Sequence, residues 1–224
     1  MNFLGKDLVC FLCEFLDKSS VDNLSLTSKQ LYEQTLPYKE RHYTMVLDRA
    51  NLAVFNHSHD LNFKRVRLNH NLDPSKDQLF LPSKLTHLWF NIPFKCSVIQ
   101  FNFPSTLTHL TLGWYFNQPV DKLTLPPSLI HLIFGDDFNQ PVDRLILPSN
   151  LTHLEFGWDF NQPVDQLTLP PTLTHLYFGR LFNQPVDQLV LPPNLTHLMF
   201  GCNFNQSLDQ LNLPTTLIHC NRLP

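Results

Sequence analysis

Seven histidines stand 22 residues apart, at His87, His109, His131, His153, His175, His197 and His219. Imidazoles brought into one file by folding could do two kinds of chemistry. The first is metal binding, since neighbouring rings about 5 Å apart could share a zinc or nickel ion. A preformed site wants several converging ligands, whereas a flat ladder offers at most a pair per ion. The file therefore reads first as a surface stack, and no metal is assigned. The second is proton uptake: near the reference pKa of about 6.5, protonation would stack like charges and loosen the array. Cys10 and Cys13 lie one helical turn apart, but with no second pair nearby they read as buried thiols. No glycine-rich phosphate loop, G-x-S-x-G or H-E-x-x-H run occurs. No polar cluster breaks the pattern either, so the chain is read as a non-enzyme without catalytic residues or cofactors.

The histidines belong to a repeat. The segment FNQPVDQLTLPPTLTHLYFG begins at Phe160, and close copies begin at Phe116, Phe138, Phe182 and Phe204. The register extends upstream to Phe94 and Leu85. Phe63, Arg65, Val66 and Leu68 share the phase of Leu85, His87, Leu88 and Phe90, which predicts a degenerate first coil. A period near 22 fits one strand-containing coil of a leucine-rich-repeat-like stack. The expected fold is mainly β, a leucine-rich-repeat-like solenoid of 22-residue coils with short parallel strands, each coil about 4.8 Å from the next. Two extended pieces are expected per coil. In the first, Leu154 and Phe156 point inward and Glu155 outward. The second carries Val164, Leu167 and Leu169 and is stopped by Pro170-Pro171. Gly157 closes the first strand, as a residue that permits unusual turn dihedral angles.

Stacked copies make columns. Phe116, Phe138, Phe160, Phe182 and Phe204 form an apolar ladder for the core, and the asparagine after each should satisfy turn backbone groups between coils. The Asp121, Asp143, Asp165, Asp187 and Asp209 column puts like charges about 5 Å apart, which predicts that local turn N–H groups hold each carboxylate. The motif also explains the composition, 18 Pro and 19 Phe against 6 Gly. A net charge of −3 argues against a nucleic-acid partner. No run approaches the roughly 20 apolar residues of a membrane span, so no membrane partner is expected. Lys6, Asp7, Glu14 and Asp17 interrupt the N-terminal apolar stretch, which argues against a signal peptide. Five irregularly spaced cysteines fit a reducing compartment, cytoplasmic or nuclear, where the glycosylation-like Asn150 and Asn194 sites carry no meaning.

The F-N-Q-P-V motif resembles FNIP repeats, a family named for F-N-x-P-L, from about Leu79 to Leu217. Val replaces Leu in four copies, and Ser207 replaces Pro in the last. The resemblance implies a leucine-rich-repeat-like solenoid that binds proteins. Such arrays resemble those of amoeboid protists and giant viruses; a viral origin would place the protein in host cytoplasm.

Residues 1–45 do not share the period. Leu4, Leu8, Leu12, Phe15 and Leu16 line one helical face, Val21, Leu24 and Leu26 begin a second apolar piece, and Thr27-Ser28 could cap a third helix. Leu4, Gly5, Asp7, Leu8, Leu12, Leu16 and Asp17, with the L-x-L-T-S-K-x-L run from Leu24 to Leu31, resemble an F-box. That resemblance implies a small α-helical domain docking on the Skp-type linker subunit of a cullin-RING ubiquitin ligase through Leu4, Gly5, Leu8, Leu12, Leu16, Leu24 and Leu26. Gly5 stands where the family carries proline. Residues 46–71 then form a connector and degenerate first coil, with a helix suggested by Tyr43, Val46, Leu47 and Ala50, and residues 72–224 the solenoid of about six to seven coils, the last incomplete.

Since repeated letters build the scaffold, recognition falls to letters that vary. The outward strand position reads Trp89, Thr111, Ile133, Glu155, Tyr177, Met199, a mixed strip suited to a target protein. The post-glycine pairs Trp114-Tyr115, Asp136-Asp137, Trp158-Asp159 and Arg180-Leu181 make a second candidate surface. The expected function is a substrate-recruiting adaptor of an SCF-type ligase, with a ligase-independent scaffold or decoy as the alternative. An uncapped last coil, ending at Pro224, would also leave a face on which a second copy could dock.

Overall fold

Six apolar positions per copy must be withdrawn from water together, and a coil that turns three corners does it. The computed structural model describes residues 45–47, 64–68, 81–90 and 101–222. The F-box-like positions Leu4, Gly5, Leu8, Leu12, Leu16, Leu24 and Leu26, with Cys10, Cys13 and Phe94, lie outside them. Nine strands are described: β1 (Met45–Leu47), β2 (Arg65–Leu68), β3 (His87–Phe90), β4 (His109–Thr111), β5 (His131–Ile133), β6 (His153–Glu155), β7 (His175–Tyr177), β8 (His197–Phe200) and β9 (His219–Arg222). They form one parallel sheet in sequence order. From β3 on, histidine pairs with histidine. The fold is thus a mainly β parallel solenoid of 22-residue coils.

The corners are β-turns closed by i to i+3 bonds. In one coil Phe138 N–H donates to Gly135 O (3.0 Å), Leu145 to Val142 (3.1 Å) and Leu151 to Pro148 (3.1 Å). Leu151, Leu154, Phe156, Phe160, Val164 and Leu167 of the next coil are buried, and the same six phases repeat through the stack.

Three expectations change. Val164-Asp165-Gln166-Leu167 is a turn and no strand follows it, because its apolar residues sit three apart rather than alternating, and Leu167 bonds back to Val164 (3.1 Å). Where a helix is expected around Tyr43–Ala50, Met45–Leu47 is a strand; pairing with Val66–Leu68 supplies long-range bonds that override local periodicity. Gly157 is not placed for its dihedral freedom, since no described glycine has a positive φ. A β-carbon there would lie 1.7 Å from Gly135 O, so the column admits only hydrogen.

The asparagine column works as expected, though half-exposed rather than buried. Asn183 N–H donates to Asn161 Oδ1 (2.9 Å), and Gln184 Nε2 donates to the same oxygen (3.0 Å). Asn161→Ala strands the Asn183 N–H and leaves Gln184 Nε2 only the Asn161 carbonyl (3.2 Å), a loss of about 1–2 kcal/mol, so thermal melts should show a midpoint about 4 °C lower. Asn161→Asp, which keeps the acceptor, should lose less. The aspartate column departs from expectation. Its carboxylates are exposed at turn corners, and their recorded partners are side chains: Arg144 beside Asp143 (3.8 Å), Gln166 on Asp165 and Gln188 on Asp187 (both 3.3 Å). Solvent, rather than turn N–H groups, disperses their repulsion.

Ring spacing gives the stack its curvature. Histidine centroids sit 4.0–4.3 Å apart from His87 to His197, closer than the usual backbone spacing of about 4.8 Å. Phenylalanine centroids from Phe116 to Phe204 sit 5.7–6.0 Å apart. The outward strand face is therefore the concave one.

Candidate interaction groove

Two neighbouring columns, the histidines and the variable strip, share the concave face. Strand pairing sets the strip in register, Thr111 beside Ile133, Ile133 beside Glu155, Glu155 beside Tyr177, Tyr177 beside Met199. Across from it stand Trp114, Asp136, Trp158, Arg180 and Cys202, the first residue after each glycine. The two surfaces read separately from the sequence are the walls of one groove of about 960 Å³. Its floor is made by Phe134, Phe156, Phe178 and the backbone of Gly157, Gly179 and Gly201.

Each post-glycine pair divides its labour. Trp114, Asp136, Trp158 and Arg180 line the groove, while Tyr115, Asp137, Asp159 and Leu181 do not. Trp89 falls outside it, stacked on His87 (5.5 Å) with the Arg67 guanidinium 6.0 Å from its ring. Residue alternation predicted the strip. The joining of strip and corner was missed, because the tight glycine turn that brings the corner back beside the strand leaves no mark in periodicity.

The groove is electrostatically uneven. Desolvation, then Asp137 and Asp159, hold the Asp136 carboxyl above its ordinary value. Desolvation, then Asp136, do the same to Glu155, and desolvation, then Glu155, raise the Tyr177 phenol. Arg180 is the cation of the groove; its guanidinium lies 5.3 Å from the Trp158 ring centroid, and its Nε–H donates to Cys202 Sγ (3.3 Å).

In the histidine file, Thr152, Thr174 and Thr196 each contact the following ring's Nδ1 at 2.7–2.8 Å. The same hydroxyls reach Ile130 O, Thr152 O and Thr174 O at 3.0–3.3 Å. A hydroxyl has one proton, so a threonine that donates to the carbonyl accepts from Nδ1–H, leaving Nε2 unprotonated. Burial, then neighbouring imidazoles, hold His109 and His153 at about 4. Burial also lowers His87, aided by Arg65 and His131, His131, and His175, aided by His197 and His131. Face-to-face stacking makes the nitrogen lone pairs run parallel rather than converge. Among the described residues no group of three or more His, Cys, Asp or Glu side chains is placed to hold a metal.

The FNIP Repeat family model matches residues 97–137, 116–157, 138–181 and 182–220. A solved structure described as CroV588, a novel circular LRR protein, is 39% identical, with a TM-score of 0.48 over 70% of this chain and 25% of that one. This chain thus spans about a quarter of that protein's length. No curated protein matches the chain.

Proposed function

The chain belongs to the FNIP-repeat family of protein-interaction repeats, and on that premise we propose that it is a substrate-recruiting adaptor of an SCF-type cullin-RING ubiquitin ligase. The solenoid would hold a target protein in the concave groove, while the N-terminal segment docks on the Skp-type linker. The observation that carries the first half is the division of the coil. Columns that repeat build the core, and residues that change from copy to copy line one groove. Aromatic, aliphatic and charged side chains in one depression are the usual make-up of a binding hot spot. The second half is supported by the F-box-like order of Leu4, Leu8, Leu12, Leu16, Leu24 and Leu26. Such an adaptor acts in the cytoplasm or nucleus and performs no bond chemistry of its own.

Co-purification tests the docking half. The full chain should retain the linker subunit, and Leu8→Asp with Leu12→Asp should lower recovery about tenfold or more, since charges replace apolar anchors. Retention of the linker by the double variant would remove the F-box reading. Gly5 in place of proline favours the second reading, a ligase-independent scaffold or decoy. Absence of the linker from wild-type preparations, with a target still bound, would select it.

A further inference from the structure

The groove has an uncompensated charge at one end and two exposed indoles around it. Trp114 and Trp158 stand two coils apart with Asp136 between them, and Glu155 faces them from the strip. The corner turns are locked in register, Asp137 N–H donating to Trp114 O (2.8 Å) and Asp159 N–H to Asp136 O (2.8 Å). At a rise of about 4.8 Å per coil the indoles are about 10 Å apart. Arg180, from the following coil, lies over one face of Trp158, so the opposite face looks along the stack toward Asp136. Trp114 and Trp158 are 68% and 50% exposed.

We propose, building on the groove as the target-binding surface, that it takes an extended basic segment of a partner protein, with one arginine or lysine side chain seated between Trp114 and Trp158 against Asp136 and Glu155. A cation midway would be about 5 Å from each indole, inside the roughly 6 Å range of cation–π attraction. Charge complementarity selects this occupant. Asp136, Glu155 and the flanking Asp137 and Asp159 repel one another, and Arg180 is already committed to the far face of Trp158 and to Cys202. An incoming cation removes that repulsion, whereas an acidic peptide or a nucleic-acid phosphate adds to it. Groove length agrees: the strip from Thr111 to Met199 spans four coil steps. That is about 19 Å, room for about six extended residues. Tyr177 and Met199 at the other end offer apolar contact for a neighbouring side chain.

The test uses the full chain at low salt and fluorescence anisotropy. The probe is a labelled octapeptide carrying one arginine and one leucine in a Gly/Ser background. Its twin carries citrulline, the neutral isostere, in place of arginine. The arginine peptide should bind about tenfold more tightly than its twin. Asp136→Asn with Glu155→Gln should bring it down to the citrulline level, and Trp158→Ala should weaken both peptides, with melting midpoints unchanged. Equal affinities, binding of neither peptide, or indifference to the double carboxylate change would overturn the proposal. Cross-linking a cellular partner from Cys202 separates it from the broader reading. A cross-link lost with Trp158→Ala but kept with Asp136→Asn/Glu155→Gln retains the groove and removes the cation. A cross-link indifferent to both removes the groove as well.

Discussion

Gly157→Ala should lower the midpoint of thermal unfolding by about 10 °C, although it adds a single methyl group. The added carbon would sit 1.7 Å from Gly135 O, 2.6 Å from its carbonyl carbon and 3.0 Å from the Asp136 Cα. All three are backbone atoms of the preceding coil, so no side chain can swing aside. Coils must part at that corner, and parting them strains the bond from Asp159 N–H to Asp136 O. Overpacking of this kind costs about 1–3 kcal/mol and sometimes more. Gly157 has no positive φ, so alanine's own backbone preferences add nothing, and the loss is steric. Asp165→Ala, at an exposed corner of the next turn, is the control and should move the midpoint by little. Circular dichroism melts check both; a Gly157→Ala midpoint within experimental error of wild type would refute the close stacking.

The second large effect is acid lability. Histidines in the unfolded chain titrate near 6.5, whereas His87, His131 and His175 of the folded file are held lower and His109 and His153 lie at about 4. Between those values the unfolded chain binds more protons, so acid pulls the equilibrium toward unfolding. Stability is therefore complete above about pH 6.5 and is lost progressively as pH falls toward 4, a window lower and broader than the reference pKa alone suggests. The rings keep substantial solvent access, which tempers each contribution, but several act together. From pH 7.5 to 4.5 the midpoint should fall by on the order of 10 °C. Arg65 adds to the effect at His87, while Asp136 and Glu155, whose carboxyls are raised, oppose it at the acid end. His109→Gln with His153→Gln should flatten the pH slope; an unchanged slope would place the lability elsewhere.

The sequence made the repeat legible because copies align by identity, so each column of Leu, Phe and His could be placed before any strand was seen. Alternation at Leu154, Glu155 and Phe156 gave inside and outside correctly. What stayed hidden depends on three-dimensional closure. The Val164–Leu167 piece has strand-like residues but turns, because its bonds are local. Gly157 reads as a turn residue, yet its requirement comes from an oxygen 22 positions earlier. Asp165 needed no turn N–H because its corner faces water. The groove lay across two motifs that sequence spacing keeps apart, and only the folded corner joins them.

Every described lateral side-chain hydrogen bond between coils joins residues 21 to 23 positions apart, whether through asparagine, glutamine, threonine or serine. The array is thus indifferent to its own length. A stretch of DNA encoding one unit can be duplicated or lost by misaligned recombination, and all columns rejoin in register. Each such event adds or removes one strip residue and one corner residue, so the binding surface is edited a position at a time while the scaffold is inherited unchanged.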